Sequence, residues 1–379
     1  MLEKQLHFSQ EEFSARQGRT LQMMQKYGLD GLLIFSQESM FYLTGYDTFG
    51  YVFFQCLYLR GDGRMTLLTR APDLRQAQMT SVIEDIRIWK DGPNANPADE
   101  LRAIVDEQGG ANRLGVEWET YGLTAGNGQR VAAAFARITL EDASQLISKL
   151  RVIKSDSELK YVFRAAELAD AGLAAAVNLA KPAAFEGDIL AAMQGAIFRG
   201  GGDYSGNEFI IGSGQRALLC RSFSGRRHLA ENDQLTLEFA GAYRHYHAAL
   251  MRTLIIGKPE PQHTAMYAVC KEARARGIEA LHPGEPIGKV FDAYAEVVDK
   301  AGMKRHRFNA TGYSLGAKFA PSWMDWPMFY HGNPVIAQPN MVFFLHIILM
   351  DSDVGVAMST GETLLVTDSG ARSLSSAPR

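Results

Sequence analysis

Asp233-Gln-Leu-Thr-Leu-Glu-Phe-Ala-Gly-Ala-Tyr-Arg-His-Tyr-His-Ala-Ala-Leu-Met-Arg-Thr-Leu-Ile-Ile-Gly257 is the stretch around which this chain is organised. Leu235, Leu237 and Phe239 alternate with polar or small residues, Gly241 interrupts the run, and Leu250 to Ile256 make a second apolar segment. Alternation with a period of two on both sides of a break predicts two strands around a turn, with His245 and His247 just past it. Glu238 is the exception in that pattern. A carboxylate among apolar neighbours is costly to bury unless something pairs with it, so its place asks for a chemical reason. Two readings are open on the residues alone: an acid on the solvent face of a hairpin or paired with Arg244 or Arg252, and a functional acid in a cleft.

The 379 residues are enough for two domains, each with its own core. Apolar residues at 46% and charged residues at 21% are the proportions of a soluble globular protein. A formal net charge of −3 offers no electrostatic case for nucleic acid or an anionic membrane as partner. Cys56, Cys220 and Cys270 are far apart, odd in number and without a CxxC or Cys/His cluster. That usage predicts a reduced, cytoplasmic setting, with each thiol a small buried hydrophobe. The opening MLEKQLHFSQEEF lacks the apolar centre of a signal peptide, and no apolar run approaches the ~20 residues of a membrane span.

Outward from the hairpin, Ser9 with Glu12 forms a capping-box pattern, Phe8 and Phe13 stand where a hydrophobic staple would, and a helix is predicted from Ser9 to near Gly28. Strands are predicted at Leu32–Phe35, Val52–Leu59, Met65–Thr69, Ile86–Trp89 and Arg113–Val116. Helical segments are expected around Met40–Leu43 and over Asp99–Gln108. The boundary falls near Leu150. Ser155 with Glu158 opens a helix burying Leu159, Val162, Phe163, Ala166 and Leu173. It ends before Pro182, and another starts near Gly187. With an offset of 101 residues Pro182 meets Pro283, Gly187 meets Gly288 and Gly201 meets Gly302. Prolines and glycines mark backbone breaks, so their coincidence predicts a second domain of two similar halves, each with strands after its helices.

In this order and spacing the chain resembles the pita-bread family of creatinase, prolidase, aminopeptidase P and methionine aminopeptidase. The resemblance rests on Leu150-Arg-Val-Ile-Lys-Ser155, Arg252-Thr253, Thr311-Gly-Tyr-Ser-Leu-Gly316, Gln338-Pro-Asn-Met-Val342 and Glu362-Thr-Leu-Leu-Val-Thr367. It implies an α/β (α+β) fold, with a creatinase/prolidase-like domain over 1–150 and a pita-bread catalytic domain over 151–379. It also implies a homodimer. In the family's metallopeptidases Asp, Asp, His, Glu and Glu hold two divalent ions; the corresponding positions here are Glu238, Ala249, Tyr313, His346 and Gly361. Two metals need several carboxylates, and one of four remains, so no metal and no other cofactor is expected. Sliding the last motif by one would offer Glu362.

Within the family, Glu-Phe-Ala-Gly-x-Tyr-x-x-Tyr-His from Glu238 to His247, Thr311-Gly-Tyr313, Gly201-Gly-Asp-Tyr204 and Leu43-Thr-Gly-Tyr-Asp47 resemble the metal-free ectoine hydrolases. That resemblance implies hydrolysis of a C–N bond in a small cyclic amidine, with Glu238 as nucleophile or base. His247, Tyr313 and His346 are then proton-transfer candidates, and Tyr204, Tyr243 and Tyr246 candidates for substrate binding. Seventeen residues before Glu238, where metal-free relatives have a histidine, stands Arg221. A guanidinium cannot act as a base but can clamp a substrate carboxylate. His228 could substitute only if the turn were remodelled. Pro321-Ser-Trp-Met-Asp-Trp-Pro-Met-Phe-Tyr-His331 could wall a cation with Trp323 and Trp326 against Asp325, or pack on a partner subunit; Phe49-Gly-Tyr-Val-Phe-Phe54 carries the same two readings. The competing functions are a metal-dependent X-Pro peptidase and an inactive binding module.

Overall fold

The structure, a computed structural model, describes residues 4–222 and 225–377. The chain divides into two compact units, Met1–Arg151 and Val152–Arg379.

In the first unit, helix α1 (Gln10–Tyr27) starts where Ser9 Oγ accepts the Glu12 amide at 3.3 Å and stops at Gly28, in the left-handed conformation at φ 65°. Phe8 meets Phe13 edge-on at 6.0 Å, as a staple does. A six-stranded mixed sheet has the order β4-β3-β2-β1-β5-β6. Its strands are β1 (Gly31–Ile34), β2 (Cys56–Arg60), β3 (Met65–Thr69), β4 (Asp85–Ile88), β5 (Arg113–Val116) and β6 (Thr139–Asp142). Leu32 and Ile34 pack into one core cluster and Leu33 and Phe35 into another, so both faces of β1 are buried. Helices α2 (Gln37–Thr44), α3 (Leu74–Thr80), α4 (Pro97–Glu107), α5 (Ala125–Ala134) and α6 (Leu146–Arg151) complete the unit. The strand predicted to begin at Val52 begins only at Cys56. Thr48 Oγ1 accepts the Gly50 amide at 2.8 Å and donates to Asp73, which folds residues 50–52 into a turn. Phe49, Val52 and Phe53 are left 80%, 60% and 51% exposed.

The second unit is two helix pairs on one sheet. Helices α7 (Asp156–Leu179) and α8 (Glu186–Arg199) form the first pair, α9 (Pro261–Ala280) and α10 (Gly288–Lys300) the second. The reciprocal capping box of Ser155 and Glu158 opens α7. The eight-stranded sheet runs β11-β10-β12-β13-β9-β8-β7, with β14 beside β13. These are β7 (Ile210–Ser213), β8 (Asp233–Tyr243), β9 (Tyr246–Ile256), β10 (Ala310–Ser314), β11 (Asp325–Tyr330), β12 (Val342–Asp351), β13 (Val356–Thr367) and β14 (Gly370–Ser373). Leu235, Leu237, Phe239 and Leu250 pack with Leu168, Leu173, Ile189 and Met193 of the first helix pair. Phe343, Leu345, Ile347 and Leu349 do the same with Met266, Ala273, Val290 and Val298 of the second.

Gly241 does not end β8. The strand continues through it to Tyr243, and the turn is Arg244-His245, both with positive φ (49° and 66°), between the paired Tyr243 and Tyr246. Two central residues with positive φ make the hairpin turn whose twist matches the strands. Gly241 is required by packing instead. A Cβ there would meet the Ala165 carbonyl and come within 2.6 Å of the Ala169 amide, because α7 lies directly on the strand. Gly241→Ala is therefore expected to destabilise the protein by about 3 kcal/mol, the upper range for overpacking a tight core. Gly18→Ala, in α1 with open space at its Cβ position, is expected to stabilise it by about 0.5–1 kcal/mol. Urea unfolding of the two variants measures both.

Candidate active site

Residues paired across an antiparallel sheet point to the same face, and alternate residues of one strand share that face. The registers Ile210↔Glu238↔Met251↔Gly361↔His346 place those five residues in one row on the face opposite the helices. The adjoining row on that face holds the paired Ala240 and Ala249, and Thr363↔Phe344↔Tyr313. Thr363 Oγ1 joins its two parts, accepting the Ala249 amide at 2.8 Å and donating to the Ala249 carbonyl at 2.9 Å. Glu238, Ala249, Tyr313, His346 and Gly361 thus come from five strands onto one face.

Their donor set does not fit two metal ions. Ala249 and Gly361 carry no ligand atom, and a Cβ on Gly361 would lie 2.8 Å from the Phe344 ring and 3.0 Å from Met251 Cβ. The space where a ligand side chain would extend is filled by an aromatic ring. Glu362, one residue on, points to the helix side, where it pairs with Arg274 (3.3 Å) and accepts from Ser373 Oγ. Among the described residues no group of three or more His, Cys, Asp or Glu is placed to hold an ion.

A short polar chain remains. Trp323 Nε1 donates to Tyr313 Oη at 2.8 Å, and Tyr313 Oη donates to Glu238 Oε1 at 3.4 Å. Indole nitrogen is a donor only, so the tyrosine oxygen accepts there and directs its own proton at the carboxylate. Burial pushes the Glu238 pKa up to about 7, against the pull of the Arg221 charge and the Tyr313 hydrogen bond. Burial also raises Tyr313 well above its usual range, with the Glu238 charge adding to it, so the phenol stays protonated. His346 is lowered to about 4 by burial, with Arg221 acting in the same direction, and is neutral at pH 7. Its ring lies 5.7 Å from that of Tyr313 and 5.3 Å from that of Phe344, and its buried Nδ1 has no hydrogen-bond partner among the described residues.

Arg221 is exposed and without a hydrogen bond among the described residues, yet its charge is felt by Glu238, Tyr313, His346 and Cys220. The structure therefore brings together Glu238, Tyr313, His346, Trp323 and Arg221. It also adds Cys220, which the sequence reading took for packing. The thiol is raised to about 11 by burial and by Glu238, and Sγ lies 3.8 Å from Met350 Sδ. Its one sequence signal is adjacency to Arg221. Phe344 and Met251, the apolar neighbours of Gly361, were also missed; their register with the ligand positions was the available clue.

Other expected site residues lie elsewhere. His247 is on the site face but four residues along the hairpin from the Glu238 row. Its Nε2 accepts the Gly206 amide at 2.8 Å and its Nδ1 lies 3.3 Å from the Gly316 carbonyl, so both nitrogens are engaged with backbone. Burial lowers it to about 4, and it joins two loops as a neutral ring. Tyr243 stands at odd spacing from Glu238 and so on the helix face, and Tyr246, paired with it across the turn, shares that face; both rings pack on Tyr161 and Tyr246 Oη donates to Glu158 at 2.8 Å. Tyr204 is 82% exposed against Phe198. Asp325 accepts the Trp326 amide at 3.0 Å and flanks Gly316 rather than Glu238. Trp326 packs on the core of the second half, and the His228 ring lies tilted against Phe185 at 5.0 Å.

Comparison with known proteins matches residues 160–368 to metallopeptidase family M24 and residues 16–153 to the creatinase/prolidase N-terminal domain. The ectoine hydrolase of Halomonas elongata is 25% identical over 399 aligned residues, covering 100% of this chain and 99% of that one. The Xaa-Pro dipeptidase of Pyrococcus horikoshii is 20% identical, covering 95% of this chain and 97% of that one. The crystal structure of recombinant prolidase from Thermococcus sibiricus superimposes with a TM-score of 0.87 at 21% identity, over 97% of this chain and 98% of that one. With both domain models matched, and the sheet and helix pairs of a pita-bread fold in place, the chain belongs to metallopeptidase family M24.

Proposed function

We propose that this protein is a metal-independent hydrolase that opens a C–N bond in a small cyclic amidine bearing a carboxylate, an ectoine-like substrate. Glu238 carries the reading: it is a buried carboxylate on the family's site face, where Ala249 and Gly361 leave no ligand set around it. A desolvated carboxylate is stabilised by an arriving cation, and an amidinium is both that cation and the electrophile. Arg221, without a hydrogen bond among the described residues, receives the substrate carboxylate through charge-assisted hydrogen bonds. The whole-length similarity to an ectoine hydrolase supports this substrate class.

In the reaction, a water oxygen adds to the amidinium carbon while Glu238 takes its proton, and the C=N π pair moves to nitrogen. The hydroxyl oxygen's lone pair then forms C=O as the ring C–N bond breaks and its electron pair leaves with nitrogen; the Glu238 proton and the hydroxyl proton pass to that nitrogen, giving an amide and an ammonium group. In the covalent variant the Glu238 oxygen adds first, the ring C–N bond breaks with its electron pair on nitrogen, and water then replaces Glu238 on the carbon to form the amide C=O, both its protons going to the released amine. The Tyr313 hydrogen bond holds Oε1 and leaves Oε2 for the chemistry. Neutral His346 offers its free Nδ1 to a substrate nitrogen. The second reading is a metal-dependent prolidase, favoured by the fold neighbours. We also propose a homodimer, in which exposed Phe49, Val52 and Phe53 are an apolar surface available for pairing.

Glu238→Gln should lower kcat by about 10²–10⁴-fold with ectoine as substrate, the range for loss of a positioned base. In the wild type, kcat/KM should rise with pH through about 7, since Glu238 must be ionised in the free enzyme. Arg221→Met removes the charge that holds this pKa down, so the acid limb should move to higher pH, with KM raised about tenfold to a hundredfold. His346→Gln should leave the limb in place. Because the folded pKa of Glu238 lies above its ordinary 4.5, its ionisation removes stability as pH rises from 4.5 through about 7. At pH 8 Glu238→Gln should accordingly be more stable than the wild type by about 3 kcal/mol in urea unfolding. Elemental analysis and Xaa-Pro dipeptide assays decide against the prolidase reading if the protein is active on ectoine after chelation and inert on dipeptides. Two bound divalent ions with dipeptide cleavage would overturn the proposed function.

A further inference from the structure

Three segments of the second unit meet at one buried imidazole. His247, in the second residue of β9, is fully buried, and its Nε2 accepts the Gly206 amide at 2.8 Å. The ring proton therefore sits on Nδ1, 3.3 Å from the Gly316 carbonyl. The backbone repeats this second contact. The His247 amide donates to the same carbonyl at 3.2 Å, and the Lys318 amide donates to the His245 carbonyl at 3.0 Å. Burial lowers the ring to about 4, with the charges of His245 and Lys318 acting the same way, so at pH 7 the imidazole is neutral, as these contacts require.

The residues that follow Gly206 and Gly316 in the chain lead to Glu238. Asn207 Oδ1 accepts the Trp323 amide at 3.1 Å, Trp323 Nε1 donates to Tyr313 Oη, and Tyr313 Oη donates to Glu238. The two loops lie so close that a Cβ on Gly206 would stand 2.8 Å from the Ser322 carbonyl carbon and from the Trp323 nitrogen. The place of Asn207 thus depends on where its neighbour Gly206 is held, and the imidazole is the side chain that holds it. Without that acceptor the Gly206–Asn207 segment loses its tie to the hairpin, and Trp323 loses its seat.

We propose that His247 is a positioning residue for the site: through Gly206 and Asn207 it seats Trp323, whose indole N–H turns the Tyr313 proton onto Glu238. This rests on Glu238 as the reacting group, yet its first test needs no turnover. The chain has four tryptophans, Trp89, Trp118, Trp323 and Trp326, so fluorotryptophan labelling gives four fluorine NMR signals, and Trp323→Phe assigns that of Trp323. His247→Ala is expected to move or broaden this signal, as Tyr313→Phe does, and to leave those of Trp89 and Trp118 in place. His247→Gln, whose side-chain oxygen can stand where Nε2 stands, should restore it. Asn207→Ala, at a half-buried position, should act like His247→Ala and decides the question should the latter fail to fold by circular dichroism. With ectoine as substrate, His247→Ala should lower kcat about 10–100-fold with KM little changed. In a Tyr313→Phe background the same change should cost less than about twofold, because both act on one hydroxyl. A Trp323 signal unchanged in both His247→Ala and Asn207→Ala, or full additivity with Tyr313→Phe, would overturn the positioning role. No turnover by the wild type would count against the proposed reaction instead, and the fluorine signals alone would then decide the role of His247.

Discussion

Keeping one ionisable carboxylate inside the apolar face of a sheet is the constraint from which the second unit's arrangement follows. Glu238 is only 9% exposed, so most of its charge must be held by what the fold supplies: one phenol proton and the field of a guanidinium. Both are weak holds. The acid therefore stays poised near neutrality instead of being fully ionised, and a cationic ligand gains more from meeting it than a neutral one would. Trp323 matters because it fixes the phenol, and the loop carrying Trp323 matters because the Asn207 side chain accepts its amide at 3.1 Å.

The same sheet explains how residues from distant strands come to one site. Rows of cross-strand partners put five strands' side chains on one face whatever those side chains are. With Ala249 and Gly361 at two of the positions, Phe344 and Met251 fill the space beside Gly361, and Glu238 shares its row and the next with apolar neighbours. Behind the sheet, Arg252 ties the Met251 and Gly361 carbonyls together, so the strand junction that carries the row is held from the helix side.

Much of this was legible in the residues. The capping box at Ser155, the staple at Phe8 and Phe13 and the 101-residue repeat are local or periodic signals, and local signals survive folding. Indeed α7 ends at Leu179 and α9 at Ala280, the same offset. Parity along β8 would also have excluded Tyr243 as a neighbour of Glu238, since an odd spacing changes faces. What misled was reading each residue for its own chemistry. Gly241 looked like a chain break, His247 like an acid–base group and Cys220 like filler.

Sequence alone determined the division into two units, the strand that carries Glu238 and the lack of a ligand atom at Ala249 and Gly361, because those depend on spacing and on which atoms side chains possess. Only the tertiary structure decided which groups reach Glu238. His247 is spent on two backbone amide groups of neighbouring loops, and Trp323 arrives through a loop more than eighty residues away to orient Tyr313. It also decided that Gly241 serves helix packing. Such assignments rest on close approaches between segments distant in the chain, and a protonation state is set by the burial those approaches create.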